Sequence, residues 1–163
     1  MPAATRTKGE VSFRSVEEME EVLDRVLSQV DDDDKAGPLL RATGMRLRLR
    51  CPDLDFAVNI AASEGSGCCI EWSFAKRPPW EPKLELTMSS SVANAYLQGA
   101  ASVPVAIARG QITCAGDARS ALLYLPAAKL ITDPYRVLVA EAYPHLVVGK
   151  GPASRVDGPA SRA

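Results

Sequence analysis

Between positions 16 and 30, Val16, Met19, Val22, Leu23, Val26, Leu27 and Val30 recur in steps that put them on one face of a helix. Ser15 and Glu18 precede that face at the capping-box spacing. The pattern predicts a helix starting near Ser15 and ending in the aspartates at 31–34, whose carboxylates oppose the helix dipole at its C-terminal end. A short helical turn over 39–42, closed by Gly44, comes next.

The period then changes to two. Met45, Leu47, Leu49 and Cys51 alternate with Arg46, Arg48 and Arg50. Phe56, Val58 and Ile60 alternate with Ala57, Asn59 and Ala61. Ile70, Trp72 and Phe74 are spaced likewise, as are Leu84, Leu86 and Met88. These read as four half-buried strands. Turn signals at Pro52-Asp53 and Glu64-Gly65-Ser66-Gly67 make the early strands an antiparallel meander. A short fifth strand is expected at 111–115.

Helical features return after Met88. Serines at 89–91 offer caps for a segment through Leu97, stopped by Gly99. A short turn spans 103–109. Asp117 caps another helix with Ala121, Leu122, Leu125 and Ala128 on its apolar face, and Pro126 should kink or split it. Asp133-Pro134 suits the start of a last helix, ended by Pro144. The expected fold class is α+β: about five strands, mainly antiparallel, with helices covering the one apolar face.

The chain has 163 residues, enough for one domain with tails. That domain is placed at 13–148, between a polar arm at 1–12 and a tail at 149–163. The tail holds GPASR twice and is too poor in large apolar residues to fold. Apolar residues make up 47%, so a core can form without disulfides or metal. The net charge of −1 argues against nucleic acid as a partner. The four cysteines include no CxxC pair and are read as reduced thiols of a cytoplasmic protein. No apolar run reaches the length of a membrane span.

Candidate chemistry is sparse, and neither catalysis nor a cofactor is expected. His145 is the only histidine and has no nucleophile or metal-ligand companion nearby in sequence. Ser66 belongs to a turn, and GxSxG and GxGxxG are absent. A calcium loop counted from Asp31 would put Ala36 and Ala42 where Gly and Glu are needed, so 31–35 reads as a solvated loop. Arg46, Arg48 and Arg50 project from one strand face. They are either a solvent face paired with Glu71 and Glu85 or a basic stripe for anionic headgroups. Trp80, in a stretch with three prolines, either covers the core edge or stands at a pocket mouth or membrane surface.

The stretch 84–125 reads LELTMSSSVANAYLQGAASVPVAIARGQITCAGDARSALLYL. An apolar strand leads to a serine-rich helix start and a helix ending in Gly99. Next come the Arg109-Gly110 pair, a strand, and Gly116-Asp117 opening an apolar helix. In order and spacing this resembles the type-2 sterol carrier protein domain, most closely its bacterial stand-alone members, and the resemblance extends over about 15–143. It implies non-catalytic binding or transfer of a fatty acid, acyl chain or sterol-like molecule. The family has no catalytic residues to carry over. The final Ser161-Arg162-Ala163 is not a usable peroxisomal address, a departure from eukaryotic members that shifts the expectation away from sterol itself.

The residues agree with a cavity between sheet and helices. Leu47, Leu49, Val58, Ile60, Ile70, Trp72, Phe74, Leu86 and Met88 would supply the sheet side. Tyr96, Val105, Ile107, Leu122 and Leu125 would supply the cover. The covering segments are rich in alanine, which leaves room for an alkyl chain or else packs tightly. Each buried methylene of a ligand contributes about 0.8 kcal/mol. The helices after Asp117 are the expected lid. Expected partners are an apolar small molecule or lipid, a transient membrane surface and a homodimer. The alternative function is an interaction or dimerisation module presenting an apolar patch at 135–148.

Overall fold

The computed structural model describes residues 11–65 and 67–149. The first helix, α1, spans Val16–Asp32, with the Ser15 hydroxyl accepting from the Glu18 N–H at 3.1 Å. The Glu18 carboxylate reaches back one residue further than a capping box requires and accepts from Arg14 N–H at 2.8 Å. All of the helix's buried residues belong to the apolar stripe expected for it.

The aspartates that end α1 are more than a solvated loop. One Asp31 oxygen accepts from the backbone N–H groups of Cys69 and Ile70, at 2.7 and 2.9 Å. Asp33 accepts from the N–H groups of Lys35 and Ala36 and so opens α2, Ala36–Ala42. Those donors hold its carboxyl below the usual range.

Five strands form where they are expected: β1 Arg46–Cys51, β2 Phe56–Ala62, β3 Ile70–Ser73, β4 Leu84–Met88 and β5 Ile112–Gly116. Their spatial order is β3-β2-β1-β4-β5. The meander β1-β2-β3 is antiparallel, as is β4-β5, but β1 and β4 pair in parallel, so the sheet is mixed. A parallel pair needs a crossover. The stretch from 74 to 83 supplies it, carrying the chain from one edge past β2 and β1.

That crossover corrects the expected polar face. Arg48 and Asn59 lie opposite each other on β1 and β2, and both are buried. The Arg48 guanidinium donates to Asn59 Oδ1 at 3.0 Å and to the Lys76 carbonyl, and lies 3.3 Å from Glu85 on β4. The Asn59 amide donates to the Ala75 carbonyl at 2.9 Å. The main chain at 75–76 therefore lies across this part of the sheet, and Arg48 and Arg50 both pair with Glu85. The expected pairing with Glu85 is thus present for Arg48 and Arg50, but Arg48 is buried rather than on a solvent face.

The remaining helices are α3 Ser90–Leu97, α4 Val103–Ala108, α5 Ala118–Ala127 and α6 Lys129–Ala142. The last helix begins before Asp133-Pro134, with Pro134 inside it. The chain breaks instead at Ala128, which ends α5 and opens α6 two residues after Pro126. The stretch 135–148 is not an exposed apolar patch. Tyr135, Leu138, Val139 and Leu146 are buried, leaving Val137 and Val147 as its exposed large apolar residues. Buried Asn94 accepts from the Tyr135 hydroxyl at 2.7 Å and donates to the Leu146 carbonyl at 2.8 Å, tying α3 to α6 and the following turn.

Val11 and Ser12, expected in the loose arm, are attached to α3. Ser12 Oγ lies 2.6 Å from Ser90 Oγ, and the Val11 carbonyl accepts from Asn94 at 3.4 Å. Residues 1–10, Ser66 and the expected tail beyond Gly149 lie outside the described residues. Among those described, no helix is long and apolar enough to cross a membrane. The four cysteines are unpaired, with Cys51 buried and Cys114 exposed.

Candidate ligand cavity

Strand register sets the floor of an apolar cavity. Leu47 on β1 lies opposite Ile60 on β2 and Leu84 on β4. Two residues along, Leu49 lies opposite Val58 and Leu86. The period of two puts both rows on the same face. Helix α1 lays Leu23, Val26 and Leu27 over them, and α2 adds Leu40. The other walls are Met45 just before β1, Tyr96 and Leu97 of α3, Tyr124 and Leu125 of α5, and Ala128 and Ile131 where α6 begins.

The enclosed space is about 50 Å³. About 150 Å³ is the size of an apolar void that admits benzene, so a chain of a dozen carbons needs the walls to move. The cavity is narrow in this conformation. Its lining carries no carboxylate, histidine, lysine or arginine. Desolvation pushes the Tyr96 phenol up to about 12, so it stays neutral at physiological pH. The Tyr124 hydroxyl donates to the Gly44 carbonyl at 3.4 Å.

Of the residues expected at the cavity, Leu47, Leu49, Val58, Ile60, Leu86, Tyr96 and Leu125 come together around it. The other seven stand elsewhere. Ile70 and Met88 are buried in the core away from this space. Phe74 packs on Phe56 with ring centroids 5.9 Å apart, and the Trp72 indole donates to Asp24 on α1 at 2.9 Å. Val105, Ile107 and Leu122 are on the surface, Leu122 with 79% of its area exposed. The inward face of α5 centres between Tyr124 and Leu125, so Leu122, which lies beyond Leu125 around the helix, turns to solvent. Trp80, half-buried in the crossover, does not line the cavity.

Helix α1 supplies a wall that the sequence does not assign to the cavity. Its stripe signalled a buried face, but nothing local in the sequence says which part of a sheet that face covers. His145 is not part of the cavity lining and lies 2.7 Å from Glu18 on α1.

Neither a family model nor a curated protein matches the sequence. Solved structures do match the fold. Sterol carrier protein 2 from Yarrowia lipolytica, in its apo form, is 12% identical and superposes with a TM-score of 0.52, over 78% of this chain and 97% of that one. The UbiJ-SCP2 ubiquinone synthesis protein is 13% identical with a TM-score of 0.52, covering 69% and 88%. The conserved hypothetical protein TT1886 from Thermus thermophilus is 15% identical with a TM-score of 0.50, covering 94% and 99%. Part of the chain also overlays 14% of the sec-alkylsulfatase Pisa1 from Pseudomonas sp., at a TM-score of 0.47 that is too low to transfer fold or activity. Sheet order, helix cover and the three superpositions at a TM-score of 0.50 or above agree that the chain has the sterol carrier protein 2 fold.

Proposed function

We propose that the protein binds an apolar molecule, a fatty acid, acyl chain or sterol-like compound, between its sheet and helices, and releases it unchanged. The observation that carries this reading is the cavity lined by the two strand rows and capped by α1 and α5, with no ionised side chain in its walls. Such a lining rewards burial of alkyl surface and offers no nucleophile or general base. The sterol carrier protein 2 from Yarrowia lipolytica, which has the same fold, lends the ligand class.

The small volume makes accommodation of a ligand a conformational step, and α5 is the element best suited to move. It turns Tyr124 and Leu125 inward while Leu122 and Leu123 face solvent. Pro126 weakens the backbone hydrogen bonding of its last turn. Its N-terminus is held by the Asp117 cap, and its middle by the bond from Tyr124 to Gly44.

Native mass spectrometry of the purified protein, followed by displacement of a fluorescent acyl probe by dodecanoate, tests the reading. Co-purified lipid, or saturable displacement from delipidated protein, is expected. A clean apo mass with no probe binding overturns it.

A further inference from the structure

A second recess lies at the end of the sheet, next to the cavity. It measures about 410 Å³, and Arg41 at the end of α2, Arg46 at the start of β1 and Lys83 just before β4 line it. One carboxylate, Glu64, shares the recess, so three cations face one anion. The chain as a whole carries a net charge of −1. The excess is local.

These cations differ from their neighbours. Arg48 and Arg50 are paired with Glu85 on β4. Among the described residues, Arg41, Arg46 and Lys83 make no ion pair. Two of them are instead oriented by backbone carbonyls: Arg41 donates to Gly65 at 3.0 Å and Lys83 to Gly44 at 3.3 Å. A scattered solvent face would leave such side chains pointing apart, whereas here they border one concave space.

The recess also adjoins the apolar cavity. Met45 belongs to the walls of both. The Gly44 carbonyl accepts from Lys83 on the recess side and from Tyr124, which lines the cavity. We propose that the recess of Arg41, Arg46 and Lys83 is a subsite for the anionic headgroup of an amphiphile whose alkyl chain enters the cavity past Met45. This rests on the apolar-ligand reading and adds a charge requirement to it. A carboxylate or a phosphate monoester on the alkyl chain has the required chemistry. Displacement of Tyr124 from Gly44 would open the Met45 boundary and free the same carbonyl that Lys83 holds.

Isothermal titration of the full chain with dodecanoate, dodecyl phosphate, uncharged dodecanol and inorganic phosphate tests the subsite. One or both charged amphiphiles are expected to bind about tenfold tighter than dodecanol, since three partly exposed charges each add a modest gain. Added salt erodes the difference by screening. The triple variant Arg41→Gln, Arg46→Gln, Lys83→Gln removes it without weakening dodecanol binding. Should that variant fold poorly by circular dichroism, the charge-preserving set Arg41→Lys, Arg46→Lys, Lys83→Arg must retain the preference. Equal affinity for dodecanol and the anions overturns the subsite and leaves the apolar-ligand reading standing. Inorganic phosphate bound without either charged amphiphile overturns the amphiphile assignment, and binding of none of the four overturns both readings.

Discussion

The Tyr124 hydroxyl on α5 reaches the Gly44 carbonyl, which precedes β1, across 3.4 Å. The bond is long and therefore weak. It ties the proposed lid to the turn at the boundary of the cavity. Tyr124→Phe keeps the ring in the wall and removes only the hydroxyl. The expected stability loss is about 0.5 kcal/mol, at the low end for one neutral hydrogen bond. Ligand exchange should accelerate more than that small loss suggests, because the bond must break each time α5 lifts. Stopped-flow release of a fluorescent acyl probe measures the rate, and urea unfolding measures the stability. Unchanged release would mean that entry does not pass α5.

Burial of Arg48 makes a second prediction. Its guanidinium meets Asn59, Glu85 and the Lys76 carbonyl, so losing one partner leaves a buried charged group short of a hydrogen bond. Asn59→Leu should cost about 2–3 kcal/mol in urea unfolding. Adding Arg48→Met removes the under-satisfied guanidinium, so the double variant should be more stable than the two single losses added together. Strict additivity would show that the two residues are not coupled.

The arginine pair also marks what could be read along the chain. Alternation located all four early strands and placed Leu47, Leu49, Val58, Ile60 and Leu86 on a common face. It assigned Arg48 to solvent because a single strand's pattern holds no trace of the crossover that later lies over it. The parallel pairing of β1 with β4 is a relation between strands more than 30 residues apart, and turn chemistry does not encode it. The same blindness hid α1 from the cavity walls. On α5, the spacing of Ala121, Leu122, Leu125 and Ala128 suggests an inward Leu122, whereas Tyr124 is buried and Leu122 is exposed.

Gly116 gives a physical reason for the Gly-Asp pair that opens α5. Its φ is +127°, and an added Cβ would stand 2.3 Å from the Lys83 carbonyl oxygen. Backbone on both sides leaves little to give. The Asp117 N–H donates to that same carbonyl at 3.0 Å. Gly116→Ala should cost about 1–3 kcal/mol through strain at this junction. Gly110→Ala, also at positive φ but with nothing within 4 Å of its added Cβ, should cost less. Thermal unfolding of the pair checks the order, and equal losses would leave φ alone as the cause.

Acid should loosen the lid from its N-terminal end. Asp117 accepts from the Arg119 N–H at 3.1 Å and from the Ser120 hydroxyl, and the Arg119 N–H is the main cause holding its carboxyl below the ordinary range. A carboxyl depressed on folding contributes its stability above the unfolded value of about 3.9 and loses it as pH falls through the lower folded value. Probe release should therefore quicken below about pH 4 in the parent protein. Asp117→Asn keeps a capping oxygen with no titration, so its release rate should be flatter over that range. A profile identical to the parent's would assign the acid effect to another carboxylate.

Changing the cavity's size in both directions tests whether the ligand occupies it. Leu86, on β4, is buried and stands in the second floor row beside Leu49 and Val58. Leu86→Ala should cost about 2–5 kcal/mol because the walls collapse only in part. The added space favours an alkyl chain, so saturating dodecanoate should raise the melting temperature of this variant more than that of the parent. Val58→Phe pushes bulk into the same row and should cost about 1–3 kcal/mol by overpacking. It should also reduce the rise produced by dodecanoate. Ligand binding to the native state alone stabilises by about 2.7 kcal/mol at a hundred times Kd, a shift that calorimetry resolves. Opposite changes in the two variants require the ligand to lie against Leu86 and Val58. Parallel changes, or none, would move it out of the space between the strand rows and α1.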